Sequence, residues 1–592
     1  MSSSETSIDS TSSPLSKQQL KELLSPPEVK LAPPEREIHF AELDNSLLTR
    51  LSENEGSDSL ELYRLTLQSE RFRLESRLHR LLATRQLETP NHWSHLLEGI
   101  RQTLRRMHGR TLISHEPGLA SPLGLALTLS EYILRGLVAR TMLVVPRPLL
   151  GFWKAQFQTL LGFSCTVSLT WPEGDLPDHL LLPFDALDEA LDTELLETAP
   201  YPLIAVAGAG PLRRRRSKPW RNLLSLSPKY LFLQEDLPFL KQPGEMHGYL
   251  ALLGVPELPP AARLKRELGG EDAAITPDTR KAMRDFLKPV AQRNLVTTTP
   301  LEWPERQWKT QEVDYNSALT QLRHEVWNWL KDETQADFQT GDEEEATELS
   351  EKTLALTPLL EASLCSAAAT AVTVSSLLHS GEWDDHKTKL EGLRSKATGL
   401  SAKDPRVRQI AAWLQENPRA RYIIFCHHNA TKALLEEKLE EYLQPEAGPE
   451  GRVFVASDQD VPVVTGAIDC VVHFDLPWNP TLIDTRTHWV LHPTQSVRHV
   501  RVFAPNQSPE AAYWNELNMR CKPESLLPGE MSQIASFASD EFQSEQLLWN
   551  YIHRNSNDDF FGPLSKAYLK ARKDYRRIFD LNQRLFLDDY AL

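Results

Sequence analysis

The chain has 592 residues, 41% of them hydrophobic, and a formal net charge of −16. That length allows several domains with sizeable cores, and no apolar run approaches the roughly 20 residues that span a bilayer. The acidic balance argues against a dedicated nucleic-acid-binding module, which is usually basic. Five scattered cysteines without a Cys-x-x-Cys pair argue against a disulfide framework or a zinc ribbon.

In chain order, residues 1–38 are rich in Ser, Pro and charge and are expected to be a flexible tail without a secretory signal. Residues 39–107 carry helical patterns, among them "SLELYRLTLQSERFRLESRLHRLLATR", with apolar residues at helical spacing and charges opposite. Residues 108–240 alternate short apolar strands ("RTLIS", "ARTMLVVP", "FSCTVSLTW", "HLLLPF", "YPLIAVAG", "KYLFLQ") with helices. Such alternation implies a parallel sheet covered on both faces. Residues 241–405 are expected to be a helical insert. A second strand–helix series follows over 406–508, through "ARYIIFCHH", "GRVFVAS", "DCVVHFDLP" and "VRHVRVFAP". Residues 509–592 are expected to be helical and end in the basic, aromatic-interleaved "LSKAYLKARKDYRRIFDLNQRLF". The expected fold class is therefore α/β, with two parallel-sheet lobes, a helical insert, and helical extensions at both ends.

The order of motifs within these lobes resembles superfamily 2 helicases of the Swi/Snf class, and among them the RapA-like group, over about residues 85–510. The family's phosphate loop D-E-x-G-L-G-K-T is answered here by His115-Glu116-Pro117-Gly118-Leu119-Ala120-Ser121-Pro122. Val145, Pro146 and Trp153 fit the next motif. Ala207, Gly208, Ala209 and Gly210 stand where the family carries the acidic D-E-A-H, and Gln234-Glu235-Asp236 where it carries T-A-T-P. In the second lobe Ser457, Asp458 and Asp475-Leu476-Pro477-Trp478-Asn479-Pro480 align well. Of the arginine motif, Arg486 and Gln495 remain, while Trp489 and His492 occupy the two arginine-finger positions. The resemblance implies two RecA-like lobes.

A phosphate loop needs glycines for close backbone approach, a lysine against the β/γ charge, and a hydroxyl for Mg²⁺. Ala120 narrows the approach, Ser121 carries no charge, and Pro122 removes both a hydroxyl and a backbone donor. Ala207 and Gly208 offer no carboxylate for the metal. Trp489 and a neutral His492 replace arginines whose loss alone lowers rates by roughly 10³–10⁵. No Gly-Lys pair occurs elsewhere in the chain. These losses lead to the expectation of a non-enzyme: a pseudo-helicase with no catalytic residues, no cofactor and no metal, whose degenerate cleft holds Glu116, Gly118, Ala120, Ser121, Pro122, Ala207, Gly208, Trp489 and His492. Asp188-Glu189-Ala190 resembles an acidic motif but fits a solvated helix face better. His427, His428, His488 and His492 are expected to line the cleft rather than bind zinc.

Candidate nucleic-acid or partner contacts are the run Arg213, Arg214, Arg215 and Arg216, together with Arg486, Lys570 and Arg572. By analogy the resemblance suggests a protein complex as partner, RNA polymerase or a defence or DNA-processing assembly, with double-stranded DNA and no membrane, in the cytoplasm. Two alternatives stand beside it: an assembly platform that does not touch DNA, and a residual ATP-dependent DNA translocase.

Overall fold

In a computed structural model, residues 77–592 form one compact unit. The described residues are 64–65 and 80–586, apart from 163, 173–174, 189–200, 268–276, 300, 316, 339–348, 441–451, 463, 465, 490–494, 496, 539–543 and 555–556. The tail 1–38 and most of the helical pattern before residue 80 lie outside them, as do Glu189, Ala190 and His492.

The first lobe is a seven-stranded sheet ordered β3-β4-β2-β5-β6-β1-β7. Its strands are β1 (Arg110–Ile113), β2 (Thr141–Val145), β3 (Thr166–Val167), β4 (His179–Pro183), β5 (Leu203–Ala207), β6 (Tyr230–Gln234) and β7 (Ala291–Gln292). Every pairing is parallel. β2 and β5 are buried along their whole length, as parallel strands roofed by crossover helices must be. α1 (Ser94–Arg105) precedes β1 and packs on α2 (Ser121–Leu134), which with α3 (Leu150–Gln156) and α4 (Lys218–Leu226) belongs to the crossovers.

The second lobe is a five-stranded parallel sheet ordered β10-β9-β11-β12-β8. It contains β8 (Glu305–Val313), β9 (Tyr422–Cys426), β10 (Val453–Ser457), β11 (Cys470–His473) and β12 (Val497–Pro505). The expected fold class thus holds: α/β, with two RecA-like parallel lobes and added helices.

The stretch 241–405 is not wholly helical. It supplies β7 to the first sheet and β8 to the second. The strand "ERQWKTQEV" has no apolar face, because β8 is an edge strand and most of its side chains are partly or fully exposed. Its nine-residue pairing with β12 makes it a strand, a non-local cause that periodicity cannot register. Three short helices (His247–Leu252, Ala261–Glu267 and Pro277–Leu287) precede β7, and beyond β8 come α5 (Ser317–Thr334), α6 (Glu351–Cys365), α7 (Ala367–Ser380) and α8 (Lys387–Leu400). The helices α5 to α8 share a core with β12 and the C-terminal helices.

Beyond α8 come α9 (Pro405–Glu416), α10 (Asn429–Lys438), α11 (Pro480–His488), α12 (Pro509–Cys521), α13 (Glu530–Ala535), α14 (Ser544–His553) and the 30-residue α15 (Asn557–Phe586). "DLPWNP" is explained locally. Asn479 accepts from the Thr481 amide at 2.9 Å as N-cap, and Pro480 takes the first helical position of α11. Trp478 stacks on Tyr513 of α12, with centroids 4.8 Å apart, rather than on the neighbouring prolines.

Two features join the lobes. Phe152 and Ala155 of α3 pack into a core made by Ile423, Phe425, Ala456 and Val471 of the second lobe. α15, about 45 Å long at 1.5 Å per residue, places Phe560, Leu564, Tyr568 and Tyr575 in the second-lobe and helical core. The same helix places Ile578, Leu585 and Phe586 in the first-lobe core.

The packing at α3 leaves no room for a side chain at Gly151, where a Cβ would lie 2.1 Å from the Asp458 carbonyl oxygen. In an ordinary helix Gly→Ala stabilises by about 0.5–1 kcal/mol. Gly151→Ala is therefore expected to lower the thermal midpoint and to increase proteolytic cleavage between the lobes. A raised midpoint with unchanged cleavage would show that the close interlobe approach is not formed.

Candidate functional site

β1 runs into the turn Ser114–Ala120 and then into α2. Gly118 holds φ +91°, a left-handed conformation that a side chain would strain. Ala120 sits at φ 55°, ψ 45°, unusual for a residue with a Cβ and costing about 1–2 kcal/mol. The turn is held from outside itself. The Gly118 amide donates to the Pro528 carbonyl at 2.7 Å, and Trp303 Nε1 donates to the Gly118 carbonyl at 2.6 Å. In a phosphate loop such an amide points at the ligand. Here it meets the Leu526–Glu530 segment that leads into α13. Pro122 adds no donor at the second position of α2.

Glu116 is buried behind this turn and does not line the cleft. Its Oε2 accepts from the Val296 amide at 2.7 Å, and its Oε1 lies 3.9 Å from Arg293. This corrects its placement as a cleft residue: the side chain points into the packing between β1 and the loop after β7. Arg293 donates to the Ser114 carbonyl at 2.7 Å and to the Asp236 carbonyl at 3.2 Å. Its guanidinium sits 4.7 Å from the centre of the Phe586 ring at the end of α15. Burial lowers the Arg293 pKa to about 10 and that of neighbouring His115 to about 3.

Two carboxylates, Glu235 and Asp236, follow β6, the strand adjacent to β5. The Gly208 amide donates to Gln234 Oε1 at 3.1 Å, and the Ala209 amide to the Gln234 carbonyl at 2.8 Å. Gln234 Nε2 in turn donates to Asp236 Oδ1 at 2.8 Å. The Ser121 hydroxyl, in the first turn of α2, donates to the His115 carbonyl at 3.5 Å and lies near enough to the Asp236 carboxylate to oppose the rise in its pKa. Burial raises the Asp236 pKa to about 6, and the Glu235 charge adds to the rise. Glu235 forms an ion pair with Arg213 at 3.0 Å, and Arg213 also donates to the Leu237 carbonyl at 2.6 Å.

These groups open onto a cleft of about 1560 Å³ between the lobes. Gly118, Ala120, Ser121, Pro122, Ala207, Gly208 and Trp489 line it. Glu235, Asp236, Arg213, Arg214 and Arg215 line it too. Arg214, Arg215 and Arg216 are exposed, and Arg215 lies over the Trp220 ring at 5.7 Å. Arg213 is corrected from a free cation to a paired one, because Glu235 and the Leu237 carbonyl occupy its guanidinium. Trp489 packs edge-on against Phe152, with centroids 5.0 Å apart.

Arg486 is likewise not a nucleic-acid contact. It is fully buried, and it grips Asp458 with two bonds of 2.7 Å and Asp475 with one of 3.1 Å. His427 Nδ1 stands 2.8 Å from Asp458 and Nε2 stands 3.5 Å from Glu361. Burial would raise the Asp458 pKa, but Arg486 and His427 outweigh it and hold the value at about 2. Burial opposes charge on His427 as well, and the two carboxylates overcome it, raising its pKa well above the usual value. His488 lines the cleft, whereas His427 belongs to this second-lobe cluster. On α15, Lys570 is exposed, and Arg572 is half-buried with a bond of 3.0 Å to the Arg520 carbonyl. Among the described residues no group of three or more His, Cys, Asp or Glu is arranged to hold a metal ion, and no helix is long and apolar enough to cross a membrane.

Sequence reading misses the Glu235–Asp236 pair because "QEDLP" falls in register with a different motif. The signal is there nonetheless, as two consecutive acids directly after an apolar strand.

No family model matches the chain. A curated relative from Bacillus subtilis (strain 168), the uncharacterized ATP-dependent helicase YqhH, is 22% identical over 298 residues. The match covers 50% of this chain and 52% of that protein, so it spans about half the relative's length. Among solved structures, the Sulfolobus solfataricus SWI2/SNF2 ATPase core in complex with dsDNA aligns at TM-score 0.34 and 14% identity, covering 76% of this chain and 95% of that one. The Pyrococcus furiosus Hef helicase domain aligns at TM-score 0.30 and 12% identity, covering 69% and 95%.

The chain is helicase-like. The expectation that it is not an enzyme is overturned by its similarity to a protein named as an ATP-dependent helicase. That expectation weighs residues lost at aligned positions and leaves out the carboxylates at the end of the neighbouring strand.

Two outcomes test this geometry. The folded pKa of Asp236 lies above the ordinary value of 3.8, so its ionised form costs stability above about pH 6, and the cost disappears below about pH 4. Asp236→Asn is therefore expected to raise stability at pH 7.5 by up to ~3 kcal/mol, with the gain vanishing near pH 4 in denaturant titrations. Asp458 has the opposite sign. Its stabilisation is complete above about pH 4 and is lost as pH falls toward about 2. Arg486→Ala, which leaves buried Asp475 without its cation and Asp458 with His427 alone, is expected to cost about 3–5 kcal/mol at neutral pH, measured by chemical unfolding.

Proposed function

We propose that the protein is a superfamily 2 helicase-like enzyme of the Swi/Snf class, on its RapA-like side, that takes a nucleoside triphosphate in the interlobe cleft and acts on nucleic acid. One observation carries the reading. A buried carboxylate that costs stability, Asp236, is kept beside the Ser121 hydroxyl at the first turn of α2. Costly buried acids facing a cleft are characteristic of working sites.

Ser121 and Asp236 are oxygen donors suited to a hard cation, and Mg²⁺ needs only one or two such protein ligands beside phosphates and water. When bound there, Mg²⁺ would neutralise charge on the nucleotide phosphates. Arg214, Arg215 and Lys241 are exposed cations in the cleft that could meet the phosphate oxygens, in place of the lysine absent from the loop, whereas Arg147 is paired with Asp185. Trp489 and Phe152 give an apolar wall. For the Gly118 amide to reach a phosphate, the Pro528 carbonyl must first leave it, so nucleotide entry requires the Leu526–Glu530 segment to move.

A second reading is favoured by the joined lobes: a nucleic-acid-bound subunit that presents a rigid platform to a larger assembly, by analogy RNA polymerase or a defence or DNA-processing complex.

The test is ATP hydrolysis by the full chain with and without duplex or single-stranded DNA or RNA. Nucleic-acid-stimulated turnover is expected, reduced at least ~10²-fold by Asp236→Asn or Ser121→Ala and little changed by Arg216→Gln. Absence of turnover above background with every nucleic acid, or full activity in Asp236→Asn, would sink the first reading.

A further inference from the structure

The inner face of α15 joins the two lobes, and its outer face carries a second pattern. Lys566, Lys570, Lys573, Arg577 and Arg584 are all exposed. Their spacings of four, three, four and seven residues put them within roughly a 60° arc at 100° per residue. The buried residues Phe560, Leu564, Tyr568, Ala571, Tyr575, Ile578 and Asn582 lie on the opposite side. The five cations therefore form a straight row roughly 27 Å long on a protein whose formal net charge is −16. Arg576 is exposed at the edge of the row, and Lys522 is exposed just beyond α12, whose C-terminal end Arg572 contacts. Asp559 and Asp580 are exposed acids on the same side. Among the described residues none of the five cations forms an ion pair.

We propose that this outer face of α15 is a docking surface for the phosphate backbone of duplex DNA, separate from the interlobe cleft. A row of evenly spaced cations on a rigid rod suits a duplex, which presents a phosphate about every 1.7 Å of its axis. The face also lacks what single strands require. Strand binding relies on aromatic platforms for the bases, but Tyr568, Tyr575 and Phe586 are buried and Phe579 is half-buried. The surface thus meets backbone and not bases, and it binds without sequence preference. The proposal rests on the reading that the protein acts on nucleic acid, and it assigns that role to residues outside the motor cleft.

The experiment is fluorescence anisotropy of a labelled duplex of about 30 base pairs, long enough at roughly 3.4 Å per pair to cover the row, with the full chain titrated at several KCl concentrations. The variant K566Q/K570Q/K573Q/R577Q/R584Q keeps good helix formers at every position, and circular dichroism and the thermal midpoint verify that it folds. Expected is a drop in affinity of at least ~10-fold at about 0.1 M salt and a salt slope shallower by up to ~4.5, near ~0.9 for each phosphate no longer neutralised. Wild-type and variant binding with the same affinity and slope would overturn this proposal alone. No duplex binding by the wild type would overturn it together with the nucleic-acid part of the proposed function. Competition by polyglutamate as effective as by duplex at equal charge would assign the row to an acidic protein and overturn it as well.

Discussion

The rest of the molecule depends on how its two sheets are joined. A parallel sheet offers its ligand sites at the carboxyl ends of its strands, so a two-lobed protein works at the seam between two such edges. Here the seam is partly closed by apolar packing. Phe152 enters the second-lobe core, and α15 puts side chains into the cores of both lobes. Close-packed interiors deform little before they rearrange. Relative motion of the lobes must therefore be a discrete step that gives up apolar packing, rather than free hinging.

That constraint gives the cleft its character. The turn after β1 is held by Pro528 and Trp303 rather than by a ligand, and Arg293 behind it lies against the last ring of α15. The loop, the segment before α13 and the C-terminal helix are tied together through these bonds. A group that enters the loop must displace protein atoms and disturb packing that also reaches the lobe junction. This provides a physical route between cleft occupancy and lobe arrangement, through groups with two alternative partners.

The buried ions divide into two kinds. In the second lobe, Arg486 satisfies Asp458 and Asp475, and the cluster stabilises where these strand ends meet α11. In the first lobe, the Asp236 carboxylate accepts from the Gln234 amide but has no paired cation of its own, and burial pushes its pKa up to about 6. A structural cluster minimises its own cost, whereas a site retains one. The difference lies in the partners, since both are aspartates following apolar strands.

Sequence alone determined the two parallel lobes, because "LIAVA" in the first and "YIIFC" in the second are short, wholly apolar strands that only a sheet covered on both faces can bury. It also pointed to the turn at Gly118 and to several of the residues that line the cleft around it. Only the tertiary structure decided the remainder. β8 has no apolar face and is a strand because β12 pairs with it. Arg486 and Arg213 look like free cations until the fold brings carboxylates to them from distant strands. Asp236 stands beside the loop that follows β5 because β6 lies next to β5 in the sheet, a neighbour relation set by strand order. Periodicity and local motifs record what a residue needs from its near neighbours along the chain. Charge pairing, edge-strand formation and site assembly depend on residues far apart in sequence, and chain folding alone brings those together.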